Sequence, residues 1–272
     1  MTAKSGVNPE SHVRFAMLSD PGTERGQNED ACGSHVESAR HVLLAVADGV
    51  SGEEGGECAS SMAIEVTLRT YRESPPSWGP AKRLYRAAQQ ANIEIYDRAL
   101  VVTELRRMST TLTAIVIEGD TLYAAHVGDS RLYLIRDGSV VQKTKDHTVV
   151  GERRRLGILS KASAKSHPKR SILTRSLGRE LIVAVDRIAF PIVGGDVLVV
   201  CSDGLYNVLD EEQIREEVAA KDPAGACASL VQRSNARGTP DNLTVAIVQV
   251  PGDVAGVHAQ GWRDRLSRLL GA

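Results

Sequence analysis

Aromatic residues are scarce in this chain: two Phe, two Trp and six Tyr make up 4% of 272 residues. A surface that stacks nucleic-acid bases needs several exposed rings, so the composition argues against a single-strand nucleic-acid binder. The core is left to Val, Leu, Ile and Ala. Excess charge is missing too. The formal net charge is −1, which gives no whole-molecule attraction to nucleic acid or to an anionic membrane. Cysteine is limited to Cys32, Cys58, Cys201 and Cys227, and no two are spaced as C-x-x-C. That speaks against a zinc site. Cys201 ends the run Val197–Cys201 and reads as a small buried apolar residue. No apolar run reaches the ~18 residues needed to span a bilayer, and the N-terminus has no apolar signal segment. The expected setting is therefore reduced and cytoplasmic. Internal repeats and low-complexity stretches are also lacking.

What is present suits one large soluble domain: 42% hydrophobic and 25% charged residues, with enough length for a sizeable core. Residues 1–10 are polar and expected to fray. Val13 to Leu18 reads as a strand, Pro21 to Asp30 as a loop, and His41 to Ala47 as a buried strand. Gly52 to Thr70 is expected to be helical, with Ala59, Met62, Ala63 and Val66 on one face. A second helix runs from about Pro80 to Leu100. Leu84, Ala88, Ala91 and Ile95 face inward, while Lys82, Arg83, Arg86, Glu94 and Arg98 read as a solvated face. From Thr111 to Thr144 four short β-rich runs are separated by Gly- and Asp-containing turns, which reads as an antiparallel meander. A basic region follows, with a helix around Val149 to Leu156. Two strands, Val185 to Phe190 and Val197 to Cys201, precede two helices. The first of these is capped by Asp210 with Gln213, the second by Asp222 with Pro223 at its first position. Leu243 to Val250 is the last core strand. Helices come in pairs and strands in runs, so the fold class is α+β, with sheet packed on sheet and helices outside.

Acidic residues recur at strand ends and tight turns. The motifs are Asn28-Glu29-Asp30, Asp48-Gly49, Gly128-Asp129-Ser130, Ser202-Asp203-Gly204 and Asp241-Asn242. Asp48 ends an apolar strand, and the glycine after it brings a carbonyl oxygen close to the same point. Asp203 follows its own apolar strand in the same way. If these strands lie side by side the carboxylates converge, and close like charges call for a cation. Oxygen-only ligands select Mg2+ or Mn2+ over Zn2+, and a pair of such ions activates water for attack on phosphorus. Arg25, four residues before Glu29, is the candidate for binding two phosphate oxygens at once. Other readings stay open on spacing alone. Asp-Gly is a common turn dipeptide, as at Asp137-Gly138, and Asp129 also suits a plain turn.

Taken in order, eight motifs resemble the metal-dependent Ser/Thr protein phosphatases of the PPM (type 2C) family, in its compact bacterial branch. They are Arg25-Gly26-Gln27-Asn28-Glu29-Asp30, Val46-Ala47-Asp48-Gly49-Val50, Ser109-Thr110-Thr111, His126-Val127-Gly128-Asp129-Ser130-Arg131, Lys145-Asp146-His147-Thr148, Leu173-Thr174-Arg175-Ser176-Leu177-Gly178, Cys201-Ser202-Asp203-Gly204-Leu205 and Asp241-Asn242-Leu243-Thr244. The resemblance runs from about Phe15 to Val250. It implies an αββα sandwich over residues 1–251, with two Mn2+ or Mg2+ ions at one end. It also implies that Asp48 bridges the metals, that Asp203 and Asp241 complete the first, and that the Gly49 carbonyl, Asp30 and Glu29 serve the second. Arg25 holds the substrate phosphate, and Asp129 with Asp203 makes a third, weaker metal site. The reaction implied is hydrolysis of phosphoserine and phosphothreonine on proteins by direct attack of water, opposing a bacterial Ser/Thr kinase, in a monomer. One departure is Val50, which stands where many eukaryotic members carry a histidine proposed to protonate the leaving group. His126 and His147 read as structural.

The segment from Val149 to Lys169 resembles the family's flap. Arg153, Arg154, Arg155, Lys165, Lys169 and Arg170 make it a candidate phosphoprotein-docking surface or a solvated loop. Residues 252–272 fall outside the resemblance. Trp262, Leu266, Leu269 and Leu270 have the spacing of a short amphipathic helix there. The alternative function is a catalytically weak phosphoprotein-binding module on the same fold, which would be expected to have lost ligands that this chain keeps.

Overall fold

The computed structural model describes residues 2–6, 13–38, 40–50, 55–165 and 167–252. Its strands are β1 (Thr2–Gly6), β2 (Arg14–Asp20), β3 (Asp30–Ser38), β4 (His41–Asp48), β5 (Leu112–Glu118), β6 (Thr121–Val127), β7 (Arg131–Arg136), β8 (Ser139–Gln142), β9 (Asp186–Pro191), β10 (Val197–Cys201) and β11 (Leu243–Gln249). Its helices are α1 (Gly56–Glu73), α2 (Pro80–Val101), α3 (Val149–Arg155), α4 (Lys161–Lys165), α5 (Asp203–Tyr206), α6 (Glu211–Ala220) and α7 (Pro223–Ala236). A 3-10 turn covers Thr103–Leu105.

The strands form two antiparallel sheets. One runs β1-β2-β11-β10-β7-β8 and the other β3-β4-β5-β6-β9. β4 shows why its sequence is apolar without alternation. Val42, Leu44 and Val46 face the other sheet, where they meet Phe15, Met17, Leu198 and Val248. Leu43, Ala45 and Ala47 face outward, under Ala59 and Ala63 of α1 and Leu84 and Ile95 of α2. With both faces covered, neither set of side chains can be polar. The second sheet has the same arrangement. Ala16, Val199, Val245 and Ile247 on its outer face pack under Ile214 of α6 and Leu230 of α7. The result is the expected αββα sandwich. The Asp210–Gln213 capping box is formed in full, and Asp222 caps α7 through the Gly225 N–H.

Four expectations are corrected. Thr2–Gly6 pairs with β2 instead of fraying, Thr2 opposite Ser19 and Gly6 opposite Phe15. Asp30–Ser38 is a strand that hydrophobic patterning misses, because its burial is mostly partial and Gly33 interrupts it. The meander is two hairpins in different sheets: β5–β6 belongs to one and β7–β8 to the other. The chain crosses between them at Gly128-Asp129-Ser130. Arg83 is buried at 4% exposure rather than solvated. It stacks on Tyr71 with its guanidinium 4.1 Å from the ring centroid. It donates to the Tyr71 carbonyl and pairs with Glu37 at 3.0 Å. The amphipathic tail expected over residues 252–272 lies outside the described residues apart from Gly252. No helix among the described residues is long and apolar enough to cross a membrane.

Candidate active site

Five of the six acidic residues singled out by the sequence meet at one end of the sandwich. Asp30 opens β3 and lies directly opposite Asp48, the last residue of β4, in the antiparallel register. Asp203 opens α5 just after β10, and Asp241 stands two residues before β11. Asp129 lies in the turn that crosses between sheets. Their proximity shows in their proton affinities. Burial pushes the Asp48 carboxyl well above the usual carboxylate range, and repulsion from Asp30, Asp203, Asp129 and Asp241 adds to it. Burial likewise raises Asp129, with Asp203 the next cause. Asp30 is pushed up to about 7 by burial, against the favourable hydrogen bond from Ser202. Asp203 is pushed up to about 6 by burial and by Asp241. Several buried and half-buried carboxylates sharing one end of the fold is the environment that a multivalent cation relieves.

Among the described residues, no three His, Cys, Asp or Glu side chains are already closed into a ligand cage. The carboxylates are held by neighbours instead. Ser202 Oγ donates to Asp30 Oδ2 at 2.7 Å, Asn207 Nδ2 donates to Asp203 Oδ2 at 3.0 Å, and Arg25 Nη2 lies 3.2 Å from Asp241 Oδ1. Each of these partners leaves at least one further lone pair on its carboxylate. The donor set is all oxygen and strongly anionic, so it fits hard divalent cations.

The backbone around Asp48 is fixed from several sides. Its N–H donates to Thr111 Oγ1. Its carbonyl accepts from the Thr110 hydroxyl at 2.8 Å and from the Thr111 N–H at 2.9 Å. The Gly49 N–H donates to the Glu29 carbonyl, and the Val50 N–H to the Ser109 carbonyl. Gly49 has no room for a side chain, since a Cβ would come 2.4 Å from the Gly56 carbonyl oxygen. The Glu29 carboxylate lies against Gly56, where any Cβ would meet its Oε1 at 2.8 Å. Arg25 reaches the site edge through Asp241 and also donates to the Pro240 carbonyl.

Several supporting residues were not assigned roles from sequence. Asn242 is the main one. Its Nδ2 donates to the carbonyls of Pro21 and Gln27, and its Oδ1 accepts from the Glu29 N–H. One side chain thereby fixes the whole Pro21–Glu29 loop. Its position directly after Asp241 was the available signal. Arg131 is a second, sandwiched between an ion pair to Asp146 at 2.7 Å and the Tyr206 ring at 3.5 Å. The Tyr206 hydroxyl in turn donates to the Asp129 carbonyl. His147 is structural in placement: its Nδ1 accepts from the Gly128 N–H and its Nε2 faces Asp186 at 3.2 Å.

Comparison with known proteins covers most of the chain. The family model described as Protein phosphatase 2C matches residues 24–243. The chain is 34% identical over 247 residues to the serine/threonine phosphatase stp of Listeria innocua, covering 88% of this chain and 95% of that protein. The crystal structure of the Mycobacterium tuberculosis serine/threonine phosphatase PstP/Ppp superimposes with a TM-score of 0.79 at 35% identity, covering 88% of this chain and 99% of that one. A structure of the PstP catalytic domain in complex with two manganese ions matches at 33% identity with a TM-score of 0.77, covering 88% and 98%.

Proposed function

The chain belongs to the protein phosphatase 2C family, and we propose that the carboxylate cluster is its catalytic centre, acting on phosphoserine and phosphothreonine of proteins. It is a metal-dependent protein-serine/threonine phosphatase. The observation that carries the assignment of the site is the gathering of Asp30, Asp48, Asp129 and Asp203, whose proton affinities are all raised by burial and by neighbouring carboxylates.

In this reading Asp48 would be shared by the two sites that hold divalent cations, Mn2+ or Mg2+. Asp203 and Asp241 would complete one site, and the Gly49 carbonyl, Asp30 and Glu29 would complete the other. Asp129 with Asp203 would hold a third, weaker ion. Bound cations supply Lewis acidity and lower the pKa of water near neutral pH. The chain's own residues do the rest. Arg25 binds two phosphate oxygens through its planar fork, orienting phosphorus toward the carboxylates. In the structure its guanidinium is shared with Asp241, so phosphate binding must draw it away from that carboxylate. Asn242 keeps the Arg25 loop in register with Asp48. The apolar strands behind the site exclude water from one side.

The flap is a second element of the reading. Arg154 and Arg170 line a cavity of about 260 Å³ whose wall also includes Asp129 and Asp203, which supports a role in seating phosphoprotein. The opposing activity would be a Ser/Thr kinase, and the acting unit a monomer. The deciding experiment is phosphate release from a phosphothreonine peptide with Mn2+, Mg2+ or EDTA, beside Asp203→Asn. Release that needs metal and is lost in Asp203→Asn is the expected result. Folded protein that releases no phosphate with either metal would instead favour the binding-module alternative.

A further inference from the structure

Apart from the carboxylate cluster, the C-terminal end of α2, the turn after it and the Gly178–Arg179 loop enclose a groove of about 630 Å³. Its charge is one-sided. Arg106 and Arg107 come from one wall and Arg179 from the other, and among the described residues no acidic one lines it. All three arginines are exposed, and their side chains form no ion pair with a described residue. Other arginines of the fold are matched by carboxylates. Arg69 pairs with Glu94, Arg131 with Asp146, Arg136 with Asp196 and Arg175 with Asp186. Like charges gathered without a counter-ion repel one another, so this cluster favours an anionic partner. The groove also has an apolar side, made by Tyr96, Leu100 and Met108. Leu100 is 67% exposed there.

The groove is joined to the proposed catalytic end by a short run of backbone. Met108 is followed by Ser109, whose carbonyl accepts from the Val50 N–H. Next comes Thr110, whose hydroxyl donates to the Asp48 carbonyl. Thr110 also exchanges both backbone hydrogen bonds with Leu177, at 3.2 and 2.8 Å, directly before Gly178. Both walls are thus stitched to the strand end that carries Asp48.

We propose that this groove docks an acidic segment of the phosphoprotein substrate, carboxylates on Arg106, Arg107 and Arg179 and an apolar side chain against Leu100 and Tyr96. Guanidinium forks on two facing walls suit an extended chain carrying several carboxylates. The inference rests on the phosphatase reading for its purpose, but occupancy is a binding event that can be measured without turnover.

The test uses two fluorescein-labelled peptides containing an unphosphorylated threonine. One is flanked by Glu-Glu-Leu-Glu and the other has Gln in place of each Glu. Their phosphothreonine forms serve as substrates with Mn2+, beside a small aryl phosphate. Wild-type protein should bind the acidic peptide more tightly than the Gln peptide, with the preference fading as salt rises. The combined variant Arg106→Glu, Arg107→Glu, Arg179→Glu should weaken acidic-peptide binding about tenfold and raise KM in step. It should leave kcat and aryl phosphate turnover unchanged. Leu100→Asn should weaken binding of the acidic peptide while leaving aryl phosphate turnover unchanged. Equal binding of the two peptides by wild type would overturn the proposal. So would an equal loss on the aryl phosphate, or stronger arginine-dependent capture of phosphatidylserine vesicles than of the acidic peptide. Arginine-dependent peptide binding by a protein that hydrolyses nothing would keep the groove and reject the phosphatase reading. Full turnover without acidic preference would do the reverse.

Discussion

Asp48 is half-buried among Asp30, Asp203, Asp129 and Asp241, each of which repels its charge. Replacing it with Asn keeps the shape and removes the repulsion. In EDTA, Asp48→Asn should therefore raise the melting temperature by about 3 °C. In Mn2+ the same variant should lose at least about a hundredfold in phosphate release. A melting temperature in EDTA that falls would show that Asp48 is held mainly by attraction. His126 is a second residue with a defined direction. Its Nε2 lies 3.0 Å from the Lys145 carbonyl, which can only accept, so Nε2 carries the proton. Nδ1 faces the Thr113 hydroxyl at 2.9 Å, whose single proton the Ser130 carbonyl shares at 3.0 Å. Burial lowers the imidazole to about 4 from an ordinary 6.5. Below pH 6.5 the unfolded chain takes up a proton that the folded one refuses. Stability from this group is thus constant above pH 6.5 and falls as pH drops from 6.5 to 4, by about 3 kcal/mol in all. Urea unfolding of His126→Gln should show a shallower loss between pH 7 and 5 than wild type, from a lower starting value.

At the scale of elements, the crossing between sheets at Gly128 is the feature most exposed to test. Its φ is +104°, a conformation that suits glycine, and a Cβ there would lie 2.5 Å from Thr111 Cγ2. Gly128→Ala should cost about 2 kcal/mol or more in unfolding free energy. It should also disturb Asp129, so that activity at limiting Mn2+ falls further than at saturating Mn2+. The crossing was not legible in the sequence. Four β-rich runs with short turns look like neighbours in one sheet, and only the strand pairings reveal that the second turn changes sheets. β3 was hidden for a related reason. It is partly covered, so its residues are mixed, and periodicity had nothing to register. By contrast β4, β6, β7 and β10 were legible because they are buried on both faces, and the caps of α6 and α7 because Asp210, Gln213, Asp222 and Pro223 act locally. The candidate site was legible for a different reason. Asp30, Asp48, Asp203 and Asp241 each sit where a strand or helix begins or ends, so the motifs mark the joints of the fold as well as its chemistry. The buried fate of Arg83 was not, since Glu37 and Tyr71 reach it only through tertiary packing.

For the molecule as a whole, cations held by the gathered carboxylates would make binding and folding one equilibrium. A ligand that binds only the folded state stabilises it by about 2.7 kcal/mol at a hundred times its Kd. Mn2+ should therefore raise the melting temperature of wild type, and far less that of Asp48→Asn. Differential scanning calorimetry with and without Mn2+ checks this directly, and equal shifts in both proteins would place the binding elsewhere.

The last strand has a consequence in the order of synthesis. β11 pairs with β2 from Leu243 opposite Asp20 to Gln249 opposite Arg14, and Asn242 grips the loop that carries Arg25 and Glu29. The parts of the site on the first strands are therefore aligned by a strand made much later. A chain still being translated holds Arg25, Asp30 and Asp48 without the residues that align them, because such distant pairings form late. A chain cut before Leu243 should therefore release no phosphate from a phosphothreonine peptide, even though it still carries Arg25, Asp30 and Asp48.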